Sequence, residues 1–211
     1  MKDKEGKEGG DVGMEERILA CAERLFLGKG YNLTSMTEIA REAGCTQALV
    51  HYYFRTKENL FSKIFEEKFH QFINCIVKRE DEDLPFADLV SARTSRLFDL
   101  MAENRRLPFM FLGEFVINPE QRLSLKDTMV TLCAEAVSRL EAMIATEVES
   151  GRIRPTGTMD ITLNMFSLVV TFFVVLPFLE EMGFVTDDNR EEFIAQRKQE
   201  IIRTIIGSLR P

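Results

Sequence analysis

The sequence predicts an all-α fold of about nine helices, a small three-helix head followed by a larger helical domain. Three observations predict it. Apolar residues recur at i, i+3, i+4 and i+7, the period of one helix face. No stretch holds the strict alternation of a strand between turn signals. The breaks are short and carry glycine, proline or asparagine, so successive helices connect directly. At 211 residues and 45% hydrophobic, the chain can bury a substantial core.

The first thirteen residues are charged and glycine-rich with no apolar run, and are expected to be a disordered tail (1–13). They do not resemble a signal peptide, which leads us to expect a cytoplasmic protein. The first helix is expected from about Glu15 to Lys29, where Ile18, Cys21, Ala22, Leu25 and Phe26 form one stripe and Gly30 suits the stop. Ser35 and Glu38 have the spacing of a capping box, in which the hydroxyl accepts from the N–H of Glu38 and the carboxylate reaches back to the N–H of Ser35. That helix runs to Ala43 and breaks at Gly44. Thr46 caps a third helix reaching about Tyr53, and Thr56 caps a fourth from Lys57 to about Arg79. Further helices are expected near Phe86–Glu103, Arg106–Ile117, Pro119–Ser150, Met159–Met182 and Arg190–Leu209.

Composition narrows the function classes. A net charge of −7 argues against a protein that coats nucleic acid without specificity, but residues 14–58 carry six cations against six anions. A neutral segment binds DNA if its cations share one face. Cys21, Cys45, Cys75 and Cys133 form no CxxC pair and have only His51 and His70 beside them, so no metal site or cofactor is expected. The longest apolar run, Met165 to Leu179, is shorter than the ~20 residues that cross a bilayer, and a buried interface helix is expected there instead of a membrane span. We find no HExxH, no carboxylate–histidine pair and no phosphate-binding glycine loop, and expect no enzyme. A helical carrier protein would explain the later half, but not the third helix.

The informative segment runs from Met36 to Tyr53. Two short helices that cross need a small residue where they touch, and Ala40 supplies it. Their turn needs a residue tolerant of positive φ, and Gly44 supplies that. Val50 is expected to bury against the first of the pair, with Ile39, Ala43 and Cys45 completing the seam. Thr46, Gln47, Ala48, Leu49, His51 and Tyr52 are left to face outward, and their hydroxyl, amide, imidazole and methyl groups suit base edges and phosphates. A merely structural hairpin gains nothing from so many polar and aromatic groups on one short helix.

Leu25-Phe26, Gly30-Tyr31, the run Thr34 to Ala40, Gly44, Tyr53-Phe54 and the run Lys57 to Phe61 resemble the N-terminal domain of the TetR (tetracycline-repressor) family in order and spacing. The resemblance covers about 45 residues; beyond them the chain is similar only in length and helical character. It departs from the family pattern at His51, where tyrosine is frequent. The resemblance implies a helix-turn-helix head (14–58) and a ligand-binding and dimerisation domain (59–211). It implies a homodimer built through the last two helices, on a double-stranded, pseudo-palindromic DNA operator. Gln47 is then the first choice for a base edge, with Thr46 and Ala48 beside it and His51 on a base or a phosphate. Thr37, Tyr52, Tyr53 and Lys57 resemble positions that hold phosphates, and Tyr53 can equally pack beneath the helix.

Of seventeen phenylalanines, fifteen follow Lys57. A domain so rich in phenylalanine and methionine suits a small hydrophobic effector as well as ordinary packing. Phe65, Phe69, Met110, Phe111, Phe115 and Phe166 are candidate lining residues, and Glu114 is a candidate polar contact within an otherwise apolar segment.

Overall fold

The computed structural model describes residues 5–78, 81, 83–112 and 119–211, without the side chains of 5–12, 110–112, 119–125, 128 and 129. Among the described residues it is all-α: α1 (Glu5–Lys29), α2 (Met36–Glu42), α3 (Gln47–Phe54), α4 (Lys57–Ile76), α5 (Phe86–Glu103), α6 (Leu107–Leu112), α7 (Pro119–Glu149), α8 (Thr158–Glu181) and α9 (Arg190–Leu209). Two compact units result, Met1–Phe69 with Leu112–Leu125 and His70–Phe111 with Lys126–Pro211.

In the first unit, the apolar stripe of α1 closes on α2, α3 and the start of α4. Ile18, Ala22, Phe26, Ile39, Ala43, Val50, Leu60, Phe61, Ile64 and Phe65 are all buried. Phe61 is central, meeting Phe26 and Tyr31 edge-on at 5.2 and 5.0 Å, an arrangement favoured by the ring quadrupoles. Lys63 and Lys68 of α4 pair with Glu15 and Glu23 of α1. These contacts tie α4 to α1.

The backbone of α1 is helical from Glu5, inside the segment expected to be a disordered tail. Extending an existing helix fixes one residue per new hydrogen bond, so a strong nucleus carries helix into poor sequence. The capping box at α2 forms by half. Ser35 Oγ accepts from the N–H of Glu38 at 3.2 Å, but the Glu38 carboxylate pairs with Lys29 and approaches Arg41. Its acidity rises accordingly, Lys29 being the main cause. α4 stops at Ile76 and not near Arg79, because Arg96 donates to the Ile76 carbonyl oxygen (3.0 Å) and also pairs with buried Asp81.

In the second unit α5 packs on α8 and α9, and α8 on α9. Leu89, Leu97, Phe98 and Met101 face Ile161, Met165, Val169, Phe173 and Leu176 across this core, with Ile201 and Ile205 from α9. Phe98 stacks on Phe172 at 5.7 Å and tilts against Phe173 at 4.9 Å. Lys198 joins Asp99 with both carboxylate oxygens at 2.7 Å.

The apolar run Met165–Leu179, expected to be too short for a membrane, lies inside α8. That helix is 24 residues, however, and by length and composition alone is long and apolar enough to cross one. Its bounds match the Met159–Met182 expected from the sequence to within one residue at each end. Half of its circumference is core; Leu163, Val175, Phe178 and Met182 are exposed on the other side.

Candidate nucleic-acid interface

The exposed site is built on α3, and two turns hold α3 in place. At the first, Gly44 adopts φ +63°, and the N–H of Cys45 donates to Ala40 (2.9 Å), closing the end of α2. Arg17 of α1 donates through Nε (2.7 Å) to the Ala43 carbonyl oxygen, which α2 leaves open. A Cβ on Gly44 would lie 2.5 Å from that guanidinium. Thr46 then caps α3, its Oγ1 accepting from the N–H of Leu49 at 3.3 Å.

α3 is two-faced. Val50 and Phe54 are buried, 0% and 5% exposed, and fix the helix to the core. Thr46, Gln47, Ala48, His51 and Tyr52 are exposed together, Tyr52 by 72%. The structure therefore gathers these expected residues on one surface, joined by Thr37 from the first turn of α2, whose Oγ1 donates to Gln47 Oε1 at 2.9 Å. Leu49 is half-buried and belongs to the seam more than to the surface. Tyr53 is half-buried, its ring edge-on to Tyr52 at 5.3 Å and tilted against Phe54.

The second turn is unusual. Arg55 stands at φ +61°, ψ −53°, and the N–H of Thr56 donates to the Phe54 carbonyl at 2.7 Å, which together make the strained form of γ-turn. His51 holds this turn twice: its carbonyl accepts from the N–H of Arg55 at 2.9 Å, and its Nδ1 lies 2.8 Å from the Arg55 carbonyl oxygen. Arg55 is exposed at the end of α3, a cation that its residue type and spacing did not single out.

Lys57, expected to hold a phosphate, lies against the α1–α2 connection. Its Nζ donates to the carbonyl oxygens of Tyr31 and Thr34 at 3.2 Å each and sits 4.1 Å from the Tyr31 ring centre. A half-buried ammonium goes where carbonyls and a π face replace its lost water. Next to it, Tyr31 donates to Glu58 at 2.8 Å. The backbone N–H of Glu58 first, and this hydroxyl second, hold the Glu58 carboxyl below the usual carboxylate range.

The sequence model described as bacterial regulatory proteins, tetR family, matches residues 18–64, the segment that builds this surface. Over residues 18–64 this chain is similar to the TetR family. It is 22% identical to the fatty acid metabolism regulator protein of Bacillus subtilis over 138 residues, 65% of this chain and 70% of that one. It is 26% identical to the IcaR negative regulator of the Staphylococcus epidermidis biofilm operon over 87 residues, 41% of this chain and 47% of that protein. The fold superposes on Bacillus subtilis FadR, solved with stearoyl-CoA, with a TM-score of 0.64 at 17% identity, over 92% of this chain and 98% of the other.

The candidate effector residues fall in both units. Phe65 and Phe69 stack at 6.1 Å, buried in the first unit, while Phe166 meets Phe72 edge-on at 6.5 Å in the second. Met110 and Phe111 lie on α6, where only backbone is described, and Glu114 and Phe115 lie outside the described residues. The second unit contains a cleft of about 310 Å³ elsewhere, lined by Phe86, Ile153, Ile206 and Leu209, with the Glu147–Arg152 ion pair at its rim.

Proposed function

We propose that this protein is a cytoplasmic, effector-controlled repressor: a homodimer binds a pseudo-palindromic operator through α3, and a small hydrophobic effector releases it. The observation that carries the reading is the two-faced α3, which buries Val50 and Phe54 and turns Thr46, Gln47, Ala48, His51 and Tyr52 outward. In a symmetric dimer two such helices enter successive major grooves ~34 Å apart. Gln47 reads a base edge; Thr37, Tyr52 and Arg55 reach phosphates, with Tyr53 below them. The DNA-contacting head lies within residues 14–58, and residues 59–211 take the effector and the partner.

Dimerisation is supported by the exposed apolar side of α8, together with the half-buried Ile194, Ile202 and Ile206 of α9. An isologous four-helix contact would cover both. Repression and an apolar effector are supported by the relatives, one a negative regulator and one bound to an acyl thioester. Release follows if the effector binds the two arrangements of the dimer unequally, with ~1–3 kcal/mol typical of such coupling.

The test is a titration of the DNA flanking the protein's own gene across a range of salt. Specific binding that weakens steeply with salt is expected, and Gln47→Ala should relax discrimination at one base pair by ~1–3 kcal/mol. Equal affinity for that DNA and for unrelated duplex would refute the reading. Sedimentation at micromolar concentration tests assembly, where a clean 24.3 kDa species would exclude the dimer. Long-chain acyl-CoA serves as the first effector probe, and tight binding that leaves operator affinity unchanged would exclude release.

A further inference from the structure

We propose that His51 is a positioning residue that fixes which way the Gln47 amide faces DNA, and that it does not itself read a base; this rests on the reading of α3 as the recognition helix. The direction of one hydrogen-bond chain carries the inference. His51 Nδ1 lies 2.8 Å from the Arg55 carbonyl oxygen, which can only accept, so Nδ1 holds the proton. In the neutral ring Nε2 is then an acceptor. It lies 3.3 Å from Gln47 Nε2, which donates to it. Gln47 Oε1 is thereby turned to Thr37, whose hydroxyl donates at 2.9 Å. Thr37, Gln47, His51 and Arg55 form one polarised chain with every donor matched to an acceptor.

Turning the amide over would set its oxygen against the Nε2 lone pair. Moving the ring proton to Nε2 would relieve that clash but abandon the Arg55 carbonyl. The His51 backbone carbonyl also accepts from the N–H of Arg55 (2.9 Å), which holds the Arg55 residue where its own carbonyl meets the ring. The immobilised ring therefore transmits its orientation to Gln47.

The consequence is a choice between bases. With the chain formed, the amide keeps one free lone pair on Oε1 and one free hydrogen on Nε2, an acceptor beside a donor. That pattern complements adenine, whose N6–H donates and N7 accepts, and opposes guanine, whose O6 and N7 both accept. An amide free to turn could direct its NH₂ to guanine. His51 thus contributes preference for adenine without touching the base.

The experiment takes the operator selected by the full-length protein from random duplexes. It then measures every single-base variant of that operator with the parent, Gln47→Ala, His51→Phe, His51→Gln and His51→Asn. Gln47→Ala and His51→Phe are expected to flatten preference at the same base pair by about tenfold. His51→Gln should restore it, because its amide oxygen can accept from Gln47. His51→Asn should not, because its shorter side chain reaches only toward Arg55. If His51→Phe flattens a different base pair, His51 reads a base of its own and the proposal fails. Rescue by His51→Asn as full as by His51→Gln reduces the residue to a clasp on the turn. An unchanged profile for His51→Phe also overturns it. Should His51→Phe not fold, the contrast between the Gln and Asn variants decides alone. A Gln47→Ala profile identical to the parent's overturns instead the reading of α3 on which the proposal rests.

Discussion

The two turns that bound α3 meet a similar backbone demand by opposite means. Both place a residue at positive φ, Gly44 at +63° and Arg55 at +61°. The first uses the residue that lacks a Cβ, so the conformation costs little and a single guanidinium from Arg17 completes it. The second keeps an ordinary side chain in a strained γ-turn and relies on surrounding polar groups: His51 clasps it, and just beyond it Lys57 and Glu58 tie the start of α4 to Tyr31 and Thr34. A demand met by residue type is robust to solution conditions. One met by hydrogen bonds depends on protonation and on each partner.

The sharpest way to break this contrast is Gly44→Val. A β-branched side chain at φ +63° also collides with Arg17, and a loss of ~2–3 kcal/mol is expected in urea denaturation of the full chain. A cost near zero would show that the first turn does not need glycine. Lys57→Ala comes next. It leaves two carbonyls without a charged donor, and a loss of ~1–2 kcal/mol is expected. If Lys57→Ala instead lowers affinity for every DNA sequence while stability holds, Lys57 serves phosphates as first expected.

Arg55→Gly should act in the opposite sense to Gly44→Val. Relief of strain exceeds the extra chain entropy of glycine, and stability should rise by ~1 kcal/mol. Operator affinity should fall at the same time, because an exposed cation is lost. A destabilised variant would mean that the second turn is not strained. The smallest effect is pH-dependent. The Glu58 carboxyl is held low when folded, so its contribution is present above the unfolded carboxylate range and vanishes as pH falls through the folded value. Glu58→Gln should flatten the acid limb of thermal stability and leave the neutral region nearly unchanged, whereas an identical acid limb would exclude this contribution.

The contrast also marks what was legible. Gly44, Ala40 and Val50 could be found by spacing, since each answers a local steric need with a residue type. The second turn could not, because Arg55 is unremarkable as a residue and its conformation is imposed by contacts with His51. The local partners of Lys57 were also out of reach: a lysine at a helix start looks like an anion site, and the Tyr31 and Thr34 carbonyls beside it come from a connection more than twenty residues earlier. The bounds of α5 and α9 were legible because Pro85 and Asn189 precede strongly periodic runs. The effector residues were not, since phenylalanine on a helix face serves a core and a cavity equally well. Phe65 and Phe69 are buried, which suits either role, and the cleft among the described residues of the second unit is lined by Phe86, Ile153, Ile206 and Leu209.

Arg96 has a mechanical meaning. It reaches from α5 to the last carbonyl of α4 and to buried Asp81, with one further contact to Asp81 at 3.2 Å. Pulling such a pair apart strands a charge where water is scarce, at a cost of ~3–5 kcal/mol. A shift of α5 along its axis is more easily accommodated by dragging the end of α4 with it. The joint behaves as a rivet, so that displacing α5 and displacing the last turn of α4 become one event.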